Sequence, residues 1–414
     1  MEQKQTMNIQ DIVHQISSAV PPIVSVKVNG TFRNEWLPTN TEANKADSAA
    51  NENEGGSLGV AGYLKQPIGQ ILKTYHRKIK GGSSSSDNES TTEESKFAIT
   101  LADGSDPAVA RYHNSVQPLA RWYIETADDV DVTDDGRGSW KVLYLFRYHD
   151  DGGASSSSTV SLAGYITLLH VHSPFRKPPG IIVRVCQALI LPPYHRAGHG
   201  STMLHSLHAY AETYATTAAA LPGMDILEVN VEDPAPAFVA LRDFVDYQRF
   251  SSICSSTPSK INDAAVMSDN NNNSGKLNLN YLLKEYKVTN KEYFLLVSEE
   301  RLSSVAGALK ITKRQAQIVH EMYKLAQVEQ WKEQTLLSKD TAKNNNSNKE
   351  EEEELIRQVE TNYRLMVKKS LRSFRMEELG ACEGGKEEQK ALLGRWFEET
   401  SSHYRRLLGL KRSS

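Results

Sequence analysis

Several things are scarce in this 414-residue chain, and each scarcity narrows its function. There are three cysteines, Cys186, Cys254 and Cys382, and no two form a CxxC pair. A disulfide framework needs more of them at closer spacing, so disulfide staples and cysteine-built zinc sites are both unexpected. Cys186 lies in an apolar run and reads as a small buried hydrophobe. No apolar stretch is long enough to cross a bilayer, and the amino terminus lacks the apolar core of a signal peptide. The expectation is a soluble protein of a reducing compartment, with no membrane partner. Positive charge is not in excess either: 48 Lys and Arg face 51 Asp and Glu, a formal net charge of −3. That balance gives no global basic field for direct nucleic-acid binding and suits a basic peptide better.

What is present is uneven. Five tracts are too polar to pack and read as flexible loops: about 40–57, 81–94, 150–159, 255–276 and 339–354. The runs Ser83–Ser86, Asn270–Asn273 and Glu350–Glu354 look like solvated insertions between ordered elements. Length and these breaks predict a partly disordered segment over 1–95, an ordered domain over 96–254, a linker over 255–276 and a helical domain over 277–414.

Between the tracts, Lys141–Tyr148 and Leu162–Val171 read as strands joined by a serine-rich loop. Ile181–Leu191 is apolar almost throughout, as in a strand covered on both faces. After Gly200, Leu204, Leu207, Ala211 and Tyr214 recur at helical spacing. Asp225–Val231 alternates like a strand, with Leu227, Val229 and Val231 opposite Glu228, Asn230 and Glu232, and Phe238–Phe250 reads as another helix. Strands in series, then strand–helix–strand–helix, predict an α/β (α+β) fold around one sheet. From Thr312, a capping residue, the pattern is helical: Ala316, Val319, Met322, Tyr323 and Ala326 share a face, as do Leu355, Ile356, Val359, Tyr363 and Met366, and further on Leu393, Trp396 and Phe397. A short helix is expected at Ile9–Ser17, before Pro21–Pro22.

One stretch carries chemistry. In QALILPPYHRAGHGSTMLHSLHAYAETY, Gln187–Tyr214, a buried strand ends at a proline pair, a short loop holds Gly198 and Gly200, and a helix follows. Glycines let a backbone turn tightly against a ligand, and the amides of a helix start face outward as anion donors. Arg196 and His199 could add positive charge. The spacing fits neither a Walker loop nor a dinucleotide fingerprint. Arg196-x-Gly198-x-Gly200 after a strand resembles the acetyl-CoA pyrophosphate loop, R/Q-x-x-G-x-G/A, of the GNAT acetyltransferase superfamily, with the arginine one place away from its commonest position.

Two further stretches sharpen the resemblance. EVNVEDPAPAFVALRDF at Glu228–Phe244 and RWYIETADDVDVTDD at Arg121–Asp135, before Trp140, look like the type B histone acetyltransferase catalytic-subunit family. Weaker similarity covers Gln66–Tyr75 and Ile311–Tyr323. Members of that family usually carry a further small amino-terminal domain before the segment that matches Asp11–Pro22.

The resemblance implies a GNAT fold with a mixed central sheet and a carboxy-terminal helical domain, and acetyl-CoA as cosubstrate without a metal. It implies that the backbone of Ala188, Leu189 and Ile190 holds the pantetheine arm, with the pyrophosphate on His195, Arg196, Ala197, Gly198, His199, Gly200 and Ser201 and with Phe238 beside the arm. Glu232 is implied as general base, with Asp233 and Glu125 as further carboxylates of the reaction. Direct attack of the lysine amine on the thioester follows, which leaves Cys186 without a nucleophilic role. A histone tail is implied across the strand end at Leu169, His170 and Val171, where the family is richer in aromatics. The implied substrate is the tail of free, newly made histone four, with its histone partner, beside a WD-repeat histone chaperone, in nucleus and cytoplasm. Rival readings are a GNAT enzyme for a small amine or another protein's lysine, an inactive acetyl-CoA-binding scaffold, and an interaction module built on Thr312–Leu410. The basic pairs Lys313–Arg314 and Lys368–Lys369 read as solvated helix faces rather than import signals.

Overall fold

The computed structural model describes residues 24–26, 36–38, 64–80, 92–125, 127–134, 136, 138–150, 158–217, 224–255, 299–341, 347–382 and 385–410. The expected helix at Ile9–Ser17 and most of the five polar tracts lie outside these residues. Two short strands, β1 (Val24–Val26) and β2 (Trp36–Pro38), pair antiparallel. The chain divides into two compact units, Met1–Tyr210 and Ala211–Ser414.

The first unit is organised by five strands: β3 (Gln70–Lys80), β4 (Thr92–Asp103), β5 (Ser139–Asp150), β6 (Ser158–Ser173) and β7 (Gly180–Ile190). Each pairs antiparallel with the next. Val142, Leu143, Tyr144, Leu145 and Phe146 are all 0% exposed, so β5 is covered on both faces. That is why its sequence reads as an unbroken apolar run rather than an alternation. On one face Val142, Tyr144, Phe146, Tyr165 and Leu189 pack with α1 (Pro107–Val116) and α2 (Pro118–Tyr123) through Val109, Tyr112, Leu119 and Ala120. Asp106 caps α1 by accepting from the Ala108 amide at 2.8 Å, and Pro107 opens it where no amide is needed. On β7, buried and half-buried positions alternate with none exposed, close to the strand covered on both faces that its composition predicts. Cys186 is half-buried, not buried, for a local reason. Thr167 pairs with Gln187 and Leu168 with Val185, which leaves Cys186 as the extra residue of a bulge. The Gln187 amide donates to the Thr167 hydroxyl at 3.0 Å.

Strands β5 and β6 run longer at both ends than their apolar cores suggest, through Asp150 and from Ser158. Likewise β4 begins at Thr92, inside the polar tract, because pairing with Lys80, Ile79 and Lys78 continues the ladder beyond the apolar residues. Helix α3 (His199–Thr213) buries Leu204, Leu207 and Ala211, as its periodicity predicts, and Met203 and Tyr210 besides; Tyr214 is buried in the 3-10 turn that follows.

The second unit holds β8 (Ile226–Val231), α4 (Pro236–Ser255), α5 (Glu299–Leu309), α6 (Lys313–Thr341), α7 (Ser347–Phe374), α8 (Met376–Gly380) and α9 (Gly385–Leu407). The α/β layout with a helical carboxy-terminal region is therefore present. Within β8 the alternation fails: Ile226 is 0% exposed and Leu227 is only half-buried. The strand is instead tied to the turn after α5, where the Val229 amide donates to the Lys310 carbonyl at 2.8 Å and Lys310 Nζ meets Asp225 at 2.6 Å. Phe250 and Cys254 of α4 pack with Val305, Leu309, Ile311 and Val319. Thr312 accepts from the Gln315 amide at 3.1 Å, the cap its position predicts. Lys339–Thr341 and Ser347–Glu354 are helical, a correction to their reading as loop. Glu and Lys are strong helix formers, so these segments need no apolar stripe to be helical. Arg314 is not solvated either: its guanidinium lies 4.2 Å over the Phe374 ring and donates to Ser370 at 2.8 Å.

Candidate functional site

The loop between β7 and α3 is the most unusual backbone in the first unit. A short 3-10 turn, Pro192–Tyr194, follows the strand, and then Arg196 (φ 61°) and Gly198 (φ 81°) both take left-handed conformations. Gly198 adopts this without strain, whereas Arg196 pays a small steric cost. The first helical bond runs from the Thr202 amide to the Gly198 carbonyl at 3.1 Å. The amides of His199, Gly200 and Ser201 precede it, so helix geometry gives them no partner inside α3. They open a 15-residue helix and form the anion-binding end of its dipole. The loop is fastened to the strand from which it leaves: the His195 ring nitrogen donates to the Ile190 carbonyl at 2.6 Å.

His195, Arg196 and Gly198 are exposed and Ala197, Gly200 and Ser201 half-buried, whereas His199 is 1% exposed. This corrects the expectation that His199 adds positive charge. Burial first, and then the neighbouring Arg77 guanidinium, push its imidazole down to about 4, so it is neutral at pH 7. Its Nδ1 shares a 2.7 Å hydrogen bond with the Tyr75 hydroxyl, and its ring lies 4.4 Å from that of Phe97. His199 thus anchors the helix start from below.

Besides the exposed Arg196, positive charge comes from a residue that the sequence did not single out. Arg77, on β3, is exposed, lies 3.5 Å from the Thr202 hydroxyl and sits over the Tyr75 ring at 5.9 Å. A Cβ on Gly198 would stand 3.5 Å from its Nη2. Tyr75 and Arg77 share a strand face at i and i+2, which marks them as a pair. Their partner, some 120 residues downstream, carries no sequence signal.

On β7, Ala188 and Ile190 are half-buried and Leu189 is 5% exposed. They pair with Ile166, Gly164 and Tyr165 of β6, and within the first unit β7 is the last strand. At the other end of β6, Leu169 and His170 are 6% and 2% exposed, while Val171 is half-buried. The His170 ring stacks on Tyr210 at 5.9 Å, and burial together with nearby Lys141 holds it down to about 3. Only Val171 of the three therefore offers much side-chain surface to a peptide. Glu125 is exposed and lies beyond α2, which ends at Tyr123.

The remaining candidates lie in the second unit. Glu232 and Asp233 directly follow β8 and are both exposed, and Asp233 has a left-handed backbone (φ 37°). Pro234 and Pro236 then lead into α4, whose first bonds end on the Ala235 carbonyl. Phe238, half-buried, is on its first turn. A carboxylate pair at a strand end, followed by a proline-started helix, presents its oxygens to solvent and can exchange protons.

No family model matches the chain. Curated proteins are similar to it. The histone acetyltransferase type B catalytic subunit of Homo sapiens is 32% identical over 180 residues, which cover 44% of this chain and 36% of that protein. Its counterpart from Mus musculus is 31% identical, covering 44% and 37%. One from Dictyostelium discoideum is 30% identical over 181 residues, covering 44% and 34%. The match thus spans little more than a third of the length of these relatives. Among solved structures, a tetramutant protein from Bacillus halodurans covers 40% of this chain at 14% identity, with a TM-score of 0.19, which carries no argument about the fold.

Proposed function

We propose that this chain is a histone lysine acetyltransferase that uses acetyl-CoA and acts on the amino-terminal tail of free histone four. The observation that carries the reading is the loop at His195–Ser201. Two left-handed residues, the open amides of a long helix and the Arg77 guanidinium converge there on one exposed spot. This donor set fits a pyrophosphate: fixed amides, the guanidinium groups of Arg77 and Arg196, and no carboxylate among the loop residues. Similarity to proteins named as type B catalytic subunits supports the substrate class.

In this reading the amides of His199, Gly200 and Ser201, with Arg77 and Arg196, hold the pyrophosphate. The backbone of Ala188–Ile190 holds the arm. Acetyl-CoA supplies an activated acyl thioester. The chain's task is then to deliver a neutral amine. A lysine near its reference pKa of 10.4 costs about 4.6 kcal/mol to deprotonate at pH 7. Glu232, exposed at the end of β8, takes that proton directly or through water, a contribution of about 10²–10⁴-fold. Asp233 and Glu125 supply further negative charge for a cationic tail. The reading includes a WD-repeat histone chaperone as partner, and nucleus and cytoplasm as location.

The test is acetyl transfer from labelled acetyl-CoA to free core histones, read by mass spectrometry, for the intact chain and its Glu232→Gln variant. Acetylation confined to the histone-four tail, with kcat at least about tenfold lower in the variant, supports the proposal. Transfer to small amines but to no histone would overturn the substrate, and an unchanged kcat would overturn the base.

A further inference from the structure

The loop between β7 and α3 rests on a floor of aromatic rings that the acetyl-transfer reading does not use. Tyr194, at the start of the loop, and His199, at its end, both lie against Phe97, with ring centroids 5.9 and 4.4 Å away. Phe97 of β4 is 0% exposed, and Tyr75, its partner across the β3–β4 ladder, stacks on it at 5.7 Å with ring planes 21° apart. A polar contact interrupts this apolar floor: the Tyr75 hydroxyl and His199 Nδ1 share a hydrogen bond of 2.7 Å. The other ring nitrogen of His199, Nε2, is sealed off with no partner among the described residues.

Stability alone does not account for this pair. Two apolar groups of the same shape would hold the floor about as well, and the unpartnered Nε2 carries a desolvation cost that they would not. What a hydrogen bond supplies and apolar packing does not is direction. Burial raises the Tyr75 phenol above its ordinary value and the Arg77 charge opposes this only in part, so the hydroxyl is intact at neutral pH, where His199 is neutral too. The bond therefore fixes the rotation of the His199 ring beneath the first turn of α3. His199 is the first residue of that helix, so its seating sets where its own amide and those of Gly200 and Ser201 point. Tyr75 acts on the cation as well. The Arg77 guanidinium lies 5.9 Å from the Tyr75 ring and 3.5 Å from the Thr202 hydroxyl, which in turn donates to the Gly198 carbonyl at 3.1 Å. Arg77 is exposed, and a long exposed side chain loses rotamer freedom on binding unless it is steadied beforehand.

We propose that Tyr75 is a positioning residue for the pyrophosphate: its hydroxyl aims the opening amides of α3 and its ring steadies Arg77, so that both kinds of donor meet the anion already oriented. The inference rests on the reading of this loop as the acetyl-CoA site and adds to it a residue that acts through its neighbours. Preorganisation of this kind strengthens binding by lowering the cost of ordering the site. Its effect is confined to the part of the cosubstrate that the loop holds.

The experiment titrates the full chain and its Tyr75→Phe variant by calorimetry with CoA and with pantetheine, which has the arm of CoA without its pyrophosphate. Tyr75→Phe keeps the ring on Phe97 and loses only the hydroxyl, and circular dichroism checks the fold. CoA binding weakened about tenfold, with pantetheine binding unchanged, is the expected result. Equal weakening of the two ligands, or unchanged CoA affinity, would overturn the proposal and leave Tyr75 as a packing residue. Should Tyr75→Phe fail to fold, His199→Phe cuts the same bond from the other side, and the same selective loss is expected of it. An unmodified chain that binds no CoA would overturn the acetyl-CoA reading and this inference with it, whereas unchanged affinity in the variant overturns the inference alone.

Discussion

Lowering the pH from about 7.5 to about 5.5 should loosen the five-stranded sheet of the first unit by about 4 kcal/mol. Three buried histidines cause this. His113 and His199 are pushed down to about 4 and His170 to about 3, each chiefly by burial, and they are 0%, 1% and 2% exposed. In the unfolded chain each titrates near 6.5, so below that pH the unfolded state binds more protons. Stability contributed by the neutral rings is fully present above pH 6.5. It is lost progressively as the pH falls toward the folded values of about 4 and 3. At about pH 5.5 all three folded-state values lie well below the ambient pH, so the cost depends only on the unfolded pKa. It comes to about 1.4 kcal/mol per ring, or roughly 4 kcal/mol for the three. Such a loss is a sizeable share of a domain's stability. Hydrogen exchange of β5 and β6 amides, corrected for the intrinsic pH dependence, reads this unit by itself and should show protection falling about a thousandfold. His113→Phe keeps a ring against Tyr165, 5.4 Å away, and should shrink the fall to about a hundredfold. Protection that stays level or rises on acidification, or the same fall in His113→Phe, would refute the reasoning.

Two further outcomes follow from single contacts. Arg77→Ala should weaken acetyl-CoA binding by about ten- to a hundredfold, the worth of one charge-assisted hydrogen bond, with the fold intact by circular dichroism; an unchanged dissociation constant in calorimetry would remove Arg77 from the phosphate site. Tyr404→Phe takes away the hydroxyl that donates at 2.8 Å to Glu321, a carboxylate 0% exposed, and should destabilise the helical part by about 1–3 kcal/mol, read as faster hydrogen exchange in α6.

The helical carboxy-terminal region illustrates what local pattern can decide. Ala316, Val319, Met322, Val359 and Tyr363 were legible as buried stripes because helix periodicity depends only on near neighbours. The acidic run in α7 was misread for the converse reason: a polar segment without an apolar stripe looks like a loop even when its residues favour helix. Cys186 shows a subtler limit. Its apolar neighbours imply burial, but a register slip between β6 and β7 makes it a bulge residue, and register is a property of two strands.

The sequence by itself determined the candidate phosphate loop. A proline pair, two spaced glycines and a helix start are local instructions that hold whatever surrounds them, and the backbone at Arg196, Gly198 and His199 follows them. Tertiary structure alone decided the charges. His199 is neutral because Tyr75 and Phe97 bury it, and the cation beside the loop is Arg77, delivered from a strand more than a hundred residues upstream. Burial and charge at a site depend on which distant elements pack there, whereas turn and helix geometry are written in consecutive residues.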